Sequence, residues 1–92
     1  MMNYKAVARK IRKAVGGRGN ILMVNQCATR LRFHLKDQNK IKYDILNQMD
    51  EIAMTLKRGS EFQILPKAGT SDIYQELTKI TLGVKLFGDF WP

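Results

Sequence analysis

From Arg30 to Lys36 the side chains alternate without a break: Leu31, Phe33 and Leu35 are apolar, while Arg30, Arg32, His34 and Lys36 are basic or titratable. Successive residues of a strand point to opposite faces. This segment therefore offers one face to a core and one basic face to water, and a sheet built on it is covered on one side only. The flanking patterns supply the cover. Asn3 is placed to cap a helix from Tyr4 to Val15, with Tyr4, Val7, Ala8, Ile11, Ala14 and Val15 in one stripe and Lys5, Arg9, Lys10, Arg12 and Lys13 off it. Gly16-Gly17 stops that helix. Ile21 to Val24 is continuously apolar and reads as a central strand, with Asn25 to Thr29 as the turn that follows.

Beyond the alternating strand, Asp37 to Lys40 is a polar loop and Lys42 to Met49 a short helix resting on Tyr43, Leu46 and Met49. Ile52–Lys57 and Glu61–Leu65 alternate around Arg58-Gly59-Ser60, the mark of a β-hairpin, and Pro66 ends its second strand. Ser71 or Asp72 is expected to cap a last helix with Ile73, Leu77 and Ile80 inward. The methionines at 23, 49 and 54 read as core filler. The order α-β-β-α-β-β-α predicts an α+β fold: a four-stranded antiparallel sheet of two hairpins with three helices on one face. Residues 1–81 form this domain, and residues 82–92 are an apolar tail or the start of a linker.

A chain of 92 residues is one domain with little room for a deep substrate cavity, which favours a carrier or binding module. The net charge of +8 is lopsided: residues 1–42 carry +10 and residues 43–92 carry −2. A basic half points to an anionic partner. One cysteine makes no internal disulfide, and with one histidine it makes no structural zinc site; no cofactor is called for, and the setting reads as a reducing cytosol. The longest wholly apolar run, Ile21 to Val24, is far too short to cross a bilayer, and the N-terminus has no signal-peptide pattern. A basic nucleic-acid-binding module is the alternative reading. The strand bearing Arg30, Arg32, His34 and Lys36 suits a phosphate backbone, but that face lacks aromatic rings for base stacking.

The stretch Asn25-Gln26-Cys27-Ala28-Thr29-Arg30-Leu31-Arg32 carries the chemistry. It puts Cys27 in a hairpin turn, exposed, beside two arginines that share a strand face. Cationic neighbours favour the nucleophilic thiolate. A guanidinium keeps its charge and binds two phosphate oxygens at once. The amides of Ala28, Thr29 and Arg30 are placed to form an anion-binding nest. A nucleophile, fixed cations and a ring of N–H donors are what phosphoryl transfer needs, because that reaction depends on positioning and charge stabilisation. The redox CxxC pattern is absent, since the third residue after Cys27 is Arg30, and the cysteine-phosphatase signature needs an arginine where this chain has Phe33.

Asn20, Cys27, Thr29, Arg30, Leu31, Phe33, Leu35 and Asp37 match the pattern N-apolar-x5-C-x-T-R-apolar-x-apolar-x-apolar-x-D/Q. This resembles the phosphorylation-site motif of enzyme IIB domains in the glucose/sucrose/β-glucoside group of the bacterial phosphoenolpyruvate-dependent sugar phosphotransferase system. Tyr4-Lys5, Gly16-Gly17, Phe62-Gln63-Ile64 and Ile73-Tyr74 extend the resemblance over about residues 3–80. It implies that Cys27 accepts phosphate from a phosphohistidine IIA domain and passes it to a sugar bound by a membrane-embedded IIC domain, at the inner face of the cell membrane. It also implies a phosphate-stabilising role for Arg30; Arg32 stands at a variable position, and its role rests on the shared strand face. The family's glycine after the last strand is missing, with Pro66-Lys67 in its place and Gly69 the nearest glycine.

Overall fold

A computed structural model of the chain describes residues 3–83. Most of the tail expected from residue 82 lies outside them. Helix α1 (Tyr4–Ala14) is capped by the Asn3 side chain, which accepts from the Ala6 amide. Strand β1 (Ile21–Cys27) and strand β2 (Arg30–Leu35) form the first hairpin. Helix α2 (Tyr43–Asn47) leads to β3 (Ile52–Arg58) and β4 (Glu61–Pro66), the second hairpin. Helix α3 (Thr70–Thr78) continues into a π turn, Lys79–Gly83. The antiparallel sheet has the order β1-β2-β4-β3. All three helices contribute to one core on one sheet face: Val7, Ala8 and Ile11 from α1, Leu46 from α2, and Ile73 and Leu77 from α3 meet Leu31, Phe33, Phe62 and Ile64.

The alternation in β2 is kept: Leu31, Phe33 and Leu35 are buried, while Arg30, Arg32 and His34 are half-buried on the open face. Strand β1, by contrast, is an edge strand and not a central one. Its register shifts between Ile21 and Met23, so two residues oppose one and the local alternation breaks. Leu22 and Met23 both end up exposed, and Val24 is the strand's one fully buried side chain. The apolar-run rule describes strands covered on both faces; here one face is open, and a bulge also protects an edge from pairing with other chains. Met23 and Met54 are accordingly exposed, at 51% and 50%, and Met49 alone of the three expected methionines is core.

Asn20 ties β1 to what surrounds it. Its buried Nδ2 donates to the carbonyls of Val15 (2.8 Å) and Asp37 (2.9 Å), and its Oδ1 accepts from the Asp37 amide (2.9 Å). Gly16 makes room for this: at φ +103°, a Cβ there would stand 2.6 Å from Asn20 Nδ2. Asp37 itself caps the next turn, accepting from the Asn39 amide at 2.9 Å. Helix α3 is entered from Gly69, in the left-handed region, with no side-chain cap, so neither Ser71 nor Asp72 takes that role. The cause is packing. The ring of Tyr4 lies where a Cβ of residue 69 would be, so the glycine that the sequence displaces from the strand end is used to seat α3 against α1.

Candidate functional site

Cys27 is the last residue of β1, paired with Arg30, and it is exposed. It is thus a strand-end residue and not the middle of the longer turn expected from Asn25 to Thr29. The loop between the pair is only Ala28-Thr29. A two-residue hairpin loop requires a positive φ at its first position to match the strand twist. Ala28 supplies it at φ 55°, the one non-glycine residue with positive φ among those described. This backbone costs about 1–2 kcal/mol in an L-residue and is held by the paired strands on either side. It aims the loop at the open sheet face.

On that face a cleft of about 310 Å³ is lined by Cys27, Ala28, Arg30, Arg32, Arg58 and Gln63. Four of the sequence candidates, Cys27, Ala28, Arg30 and Arg32, therefore come together. Thr29 is not among the lining residues; its carbonyl accepts from the hydroxyl of Thr70 at 3.3 Å, which joins the loop to the start of α3. Gln26, on the helix side of β1, reaches Ser71 Oγ of the same helix at 2.6 Å. The loop under the thiol is thus fastened from below.

The two arginines of β2 are held differently. Arg32 donates from Nε to Glu61 Oε2 at 3.0 Å, and its Nη2 is also 3.0 Å from that oxygen. His34 Nε2 lies 3.5 Å from the same atom. Gln63 Nε2 donates to the other oxygen, Oε1, at 2.7 Å. Hydrogen bonds from Arg32 and Gln63 hold the Glu61 carboxyl below the usual carboxylate range. Glu61 in turn raises the proton affinity of the Arg32 guanidinium, and Cys27 beside it adds a smaller contribution of the same sign. Arg30 donates instead to the neutral Gln63 Oε1 at 3.0 Å. Gln63 is 2% exposed although it lies on the open face, because its polar atoms are taken up by Arg30 and Glu61.

Of three guanidiniums in the cleft, Arg32 is neutralised by Glu61, while Arg30 and Arg58 have no carboxylate partner among the described residues. Two uncompensated positive charges beside a thiol suit a phosphoryl group, which carries about −1.5 to −2 at neutral pH. Arg58, Glu61 and Gln63 were not read as site residues from the sequence. Glu61 and Gln63 share a face by alternation, but that this is the face of Arg30 and Arg32 depends on β4 pairing with β2. Arg58, expected to open the turn Arg58-Gly59-Ser60, ends β3 opposite Glu61.

The model of the phosphotransferase-system EIIB family matches residues 9–41, which contain Cys27, Arg30 and Arg32. The chain belongs to the phosphotransferase-system EIIB family. It is 40% identical over 88 residues, 96% of its length, to the β-glucoside-specific EIIBCA component of Dickeya chrysanthemi, and 40% identical over 81 residues, 87% of its length, to the sucrose-specific EIIBC component of Staphylococcus xylosus. The chain spans only 14% and 17% of those relatives. It is also similar to the crystal structure of one domain of the phosphotransferase-system IIabc component from Clostridium difficile, with a TM-score of 0.75 and 29% identity over 84% of this chain and 81% of that one. The EIIB fold is the helix-covered antiparallel sheet expected from the sequence.

Proposed function

We propose that this EIIB domain carries a phosphoryl group on Cys27 between a phosphohistidine IIA domain and a sugar held by a IIC membrane domain. The observation that carries the proposal is the exposed thiol at the edge of a cleft with two uncompensated guanidiniums, Arg30 and Arg58. In the first step the Cys27 thiolate attacks phosphorus, an S–P bond forms, the P–N bond to the donor imidazole breaks, and the imidazole nitrogen keeps the electron pair and takes up a proton from solvent. In the second, a sugar hydroxyl attacks phosphorus, the S–P bond breaks, the thiolate is regenerated, and the hydroxyl proton leaves to solvent. Arg30, Arg58 and the loop amides stabilise the equatorial oxygens in both. Arg32, tied to Glu61, orients the pair and shields the thiol from the carboxylate.

The relatives' names supply the partners and the sugar class by analogy. Those joined to EIIC, or to EIIC and EIIA, in one chain are specific for β-glucoside, sucrose or trehalose. No helix among the described residues is long and apolar enough to cross a membrane; in the proposed assembly the domain meets the membrane through a IIC partner, as in the relatives that join EIIB to EIIC, and works on the cytoplasmic side. The nucleic-acid alternative finds no support among these relatives. Incubation with phosphoenolpyruvate and the upstream carriers, followed by mass spectrometry, tests the proposal. Phosphate maps to Cys27 in the wild type and is absent in Cys27→Ser. Labelling of the serine variant at the wild-type rate refutes it.

A further inference from the structure

Two cationic side chains converge on one oxygen atom beside the Cys27 cleft. Glu61 Oε2 accepts from Arg32 Nε at 3.0 Å, has Arg32 Nη2 at the same distance, and lies 3.5 Å from His34 Nε2. Glu61 Oε1 is taken up by Gln63 Nε2 at 2.7 Å. The carboxylate is the enclosed member of the group: its side chain is 13% exposed, against 41% for Arg32 and 40% for His34. A carboxylate withdrawn from water stays charged only where cations or donors replace that water. Arg32 and His34, being more open, have room to move around it.

Arg32 also reaches the thiol. It lines the cleft with Cys27, and after Glu61 the Cys27 side chain is its second hydrogen-bond partner. A phosphoryl group on that sulfur brings about −1.5 to −2 charges into the cleft, so Arg32 then stands between two anions, of which the phosphoryl group carries the larger charge. His34 waits at the oxygen that Arg32 would leave. Its other neighbours offer it no anion. On β2 these are Arg32 and, past the strand end, Lys36; β3 contributes Arg58, opposite Glu61; β1 lays Met23 beside the ring and has no acidic residue. Asp37, beyond Lys36, is turned to the Asn39 amide. Among the described residues Glu61 is the one carboxylate within ion-pair distance of His34.

Resting on the transfer reading above, we propose that His34 and Arg32 exchange places at Glu61 as the domain is loaded. When the phosphoryl group arrives on Cys27, Arg32 turns from Glu61 Oε2 to the phosphoryl oxygens, and His34 takes one proton from solvent and replaces it at Oε2. Transfer to the sugar reverses both movements and returns the proton to solvent. The exchange lends the loaded cleft a third guanidinium without leaving the enclosed carboxylate unpaired beside it. His34 is a positioning residue here: it acts through Glu61 and touches neither sulfur nor phosphorus. Proton and phosphoryl group are then coupled ligands, and coupling is reciprocal. The loaded form binds one more proton than the free form, so acidification through the His34 titration favours loading.

His34 is the only histidine in the sequence, so its ring resonances assign themselves. NMR follows them against pH in isotope-labelled protein, first unloaded, then with Cys27 kept phosphorylated by phosphoenolpyruvate and unlabelled upstream carriers. At a fixed pH within the titration, loading raises the ratio of imidazolium to imidazole about fivefold, the worth of one unit charge at about 4 Å in water. In Glu61→Gln the rise is much smaller. The loading advantage of wild type over His34→Gln grows on acidification, and His34→Lys, a cation at every pH, keeps that advantage in alkali. An unmoved resonance in loaded wild type overturns the exchange. So does an equal rise in Glu61→Gln, which reduces the effect to the phosphoryl group's own field. Mass spectrometry on the same samples separates the two readings: a Cys27 that takes no phosphate refutes phosphoryl transfer and the exchange with it, whereas loaded protein with His34 unmoved refutes the exchange alone.

Discussion

Replacing Arg30 with glutamine separates the cleft's charge from its architecture. Arg30 contributes one of the two uncompensated charges and also the hydrogen bond that satisfies Gln63 Oε1 at 3.0 Å. Gln63 is 2% exposed, so water replaces that donor poorly. Leaving a buried acceptor unpaired costs about 1–3 kcal/mol, and each kcal/mol lowers the melting temperature of a domain this size by about 4–8 °C. The stability loss thus exceeds the few tenths expected of a surface exchange. The catalytic loss is larger: removing one preorganised donor to a developing charge lowers transfer by about 10²–10³. Arg32→Gln acts by another route. It strips Glu61 of its cation and leaves a free carboxylate beside the thiol, so phosphate is repelled as well as less well held. Arg32→Gln/Glu61→Gln restores the cleft's net charge and recovers part of the activity lost in Arg32→Gln, a non-additivity that a double-mutant cycle reads directly. Phosphocysteine and sugar-phosphate formation, measured well below each variant's melting temperature, decide the matter. Wild-type transfer by folded Arg30→Gln refutes the role of that charge, and strict additivity of Arg32 and Glu61 refutes the pairing argument.

Asn20→Ala removes three hydrogen bonds at a buried position and costs about 3 kcal/mol at about 1 kcal/mol each; a urea-unfolding loss under about 1 kcal/mol contradicts the network. Ala28→Gly relieves the left-handed backbone at φ 55° and raises stability by up to about 1 kcal/mol, part of the relief being offset by unfolded-chain entropy; a lower melting temperature argues against the loop geometry. Glu61 has its folded-state pKa depressed by Arg32 and Gln63, so its stabilising contribution is present above the ordinary glutamate range and is lost as pH falls through the folded value. Wild type therefore exceeds Glu61→Gln in stability at neutral pH, and the gap narrows on acidification; a gap that widens with acid refutes the assignment.

Much of this protein was set locally. The stripe in α1, the alternation in β2 and the glycine stops each follow from backbone period and turn chemistry, which act over a few residues and so can be read in order along the chain. The Cys27-Ala28-Thr29-Arg30 run puts a thiol next to a guanidinium in any hairpin that closes there. What the tertiary structure alone decided is non-local. The pairing of β4 with β2, which buries Phe62 and Ile64 on the core side, also lays Glu61 and Gln63 against Arg32 and Arg30. That pairing determines which arginine is neutralised and which is left for phosphate, and it brings Arg58 from the far edge strand to the same cleft. The bulge at Leu22 likewise turned an apolar run outward to make an edge. Apolar composition states how much a strand has to bury; which neighbours the strand finds determines how much it does bury.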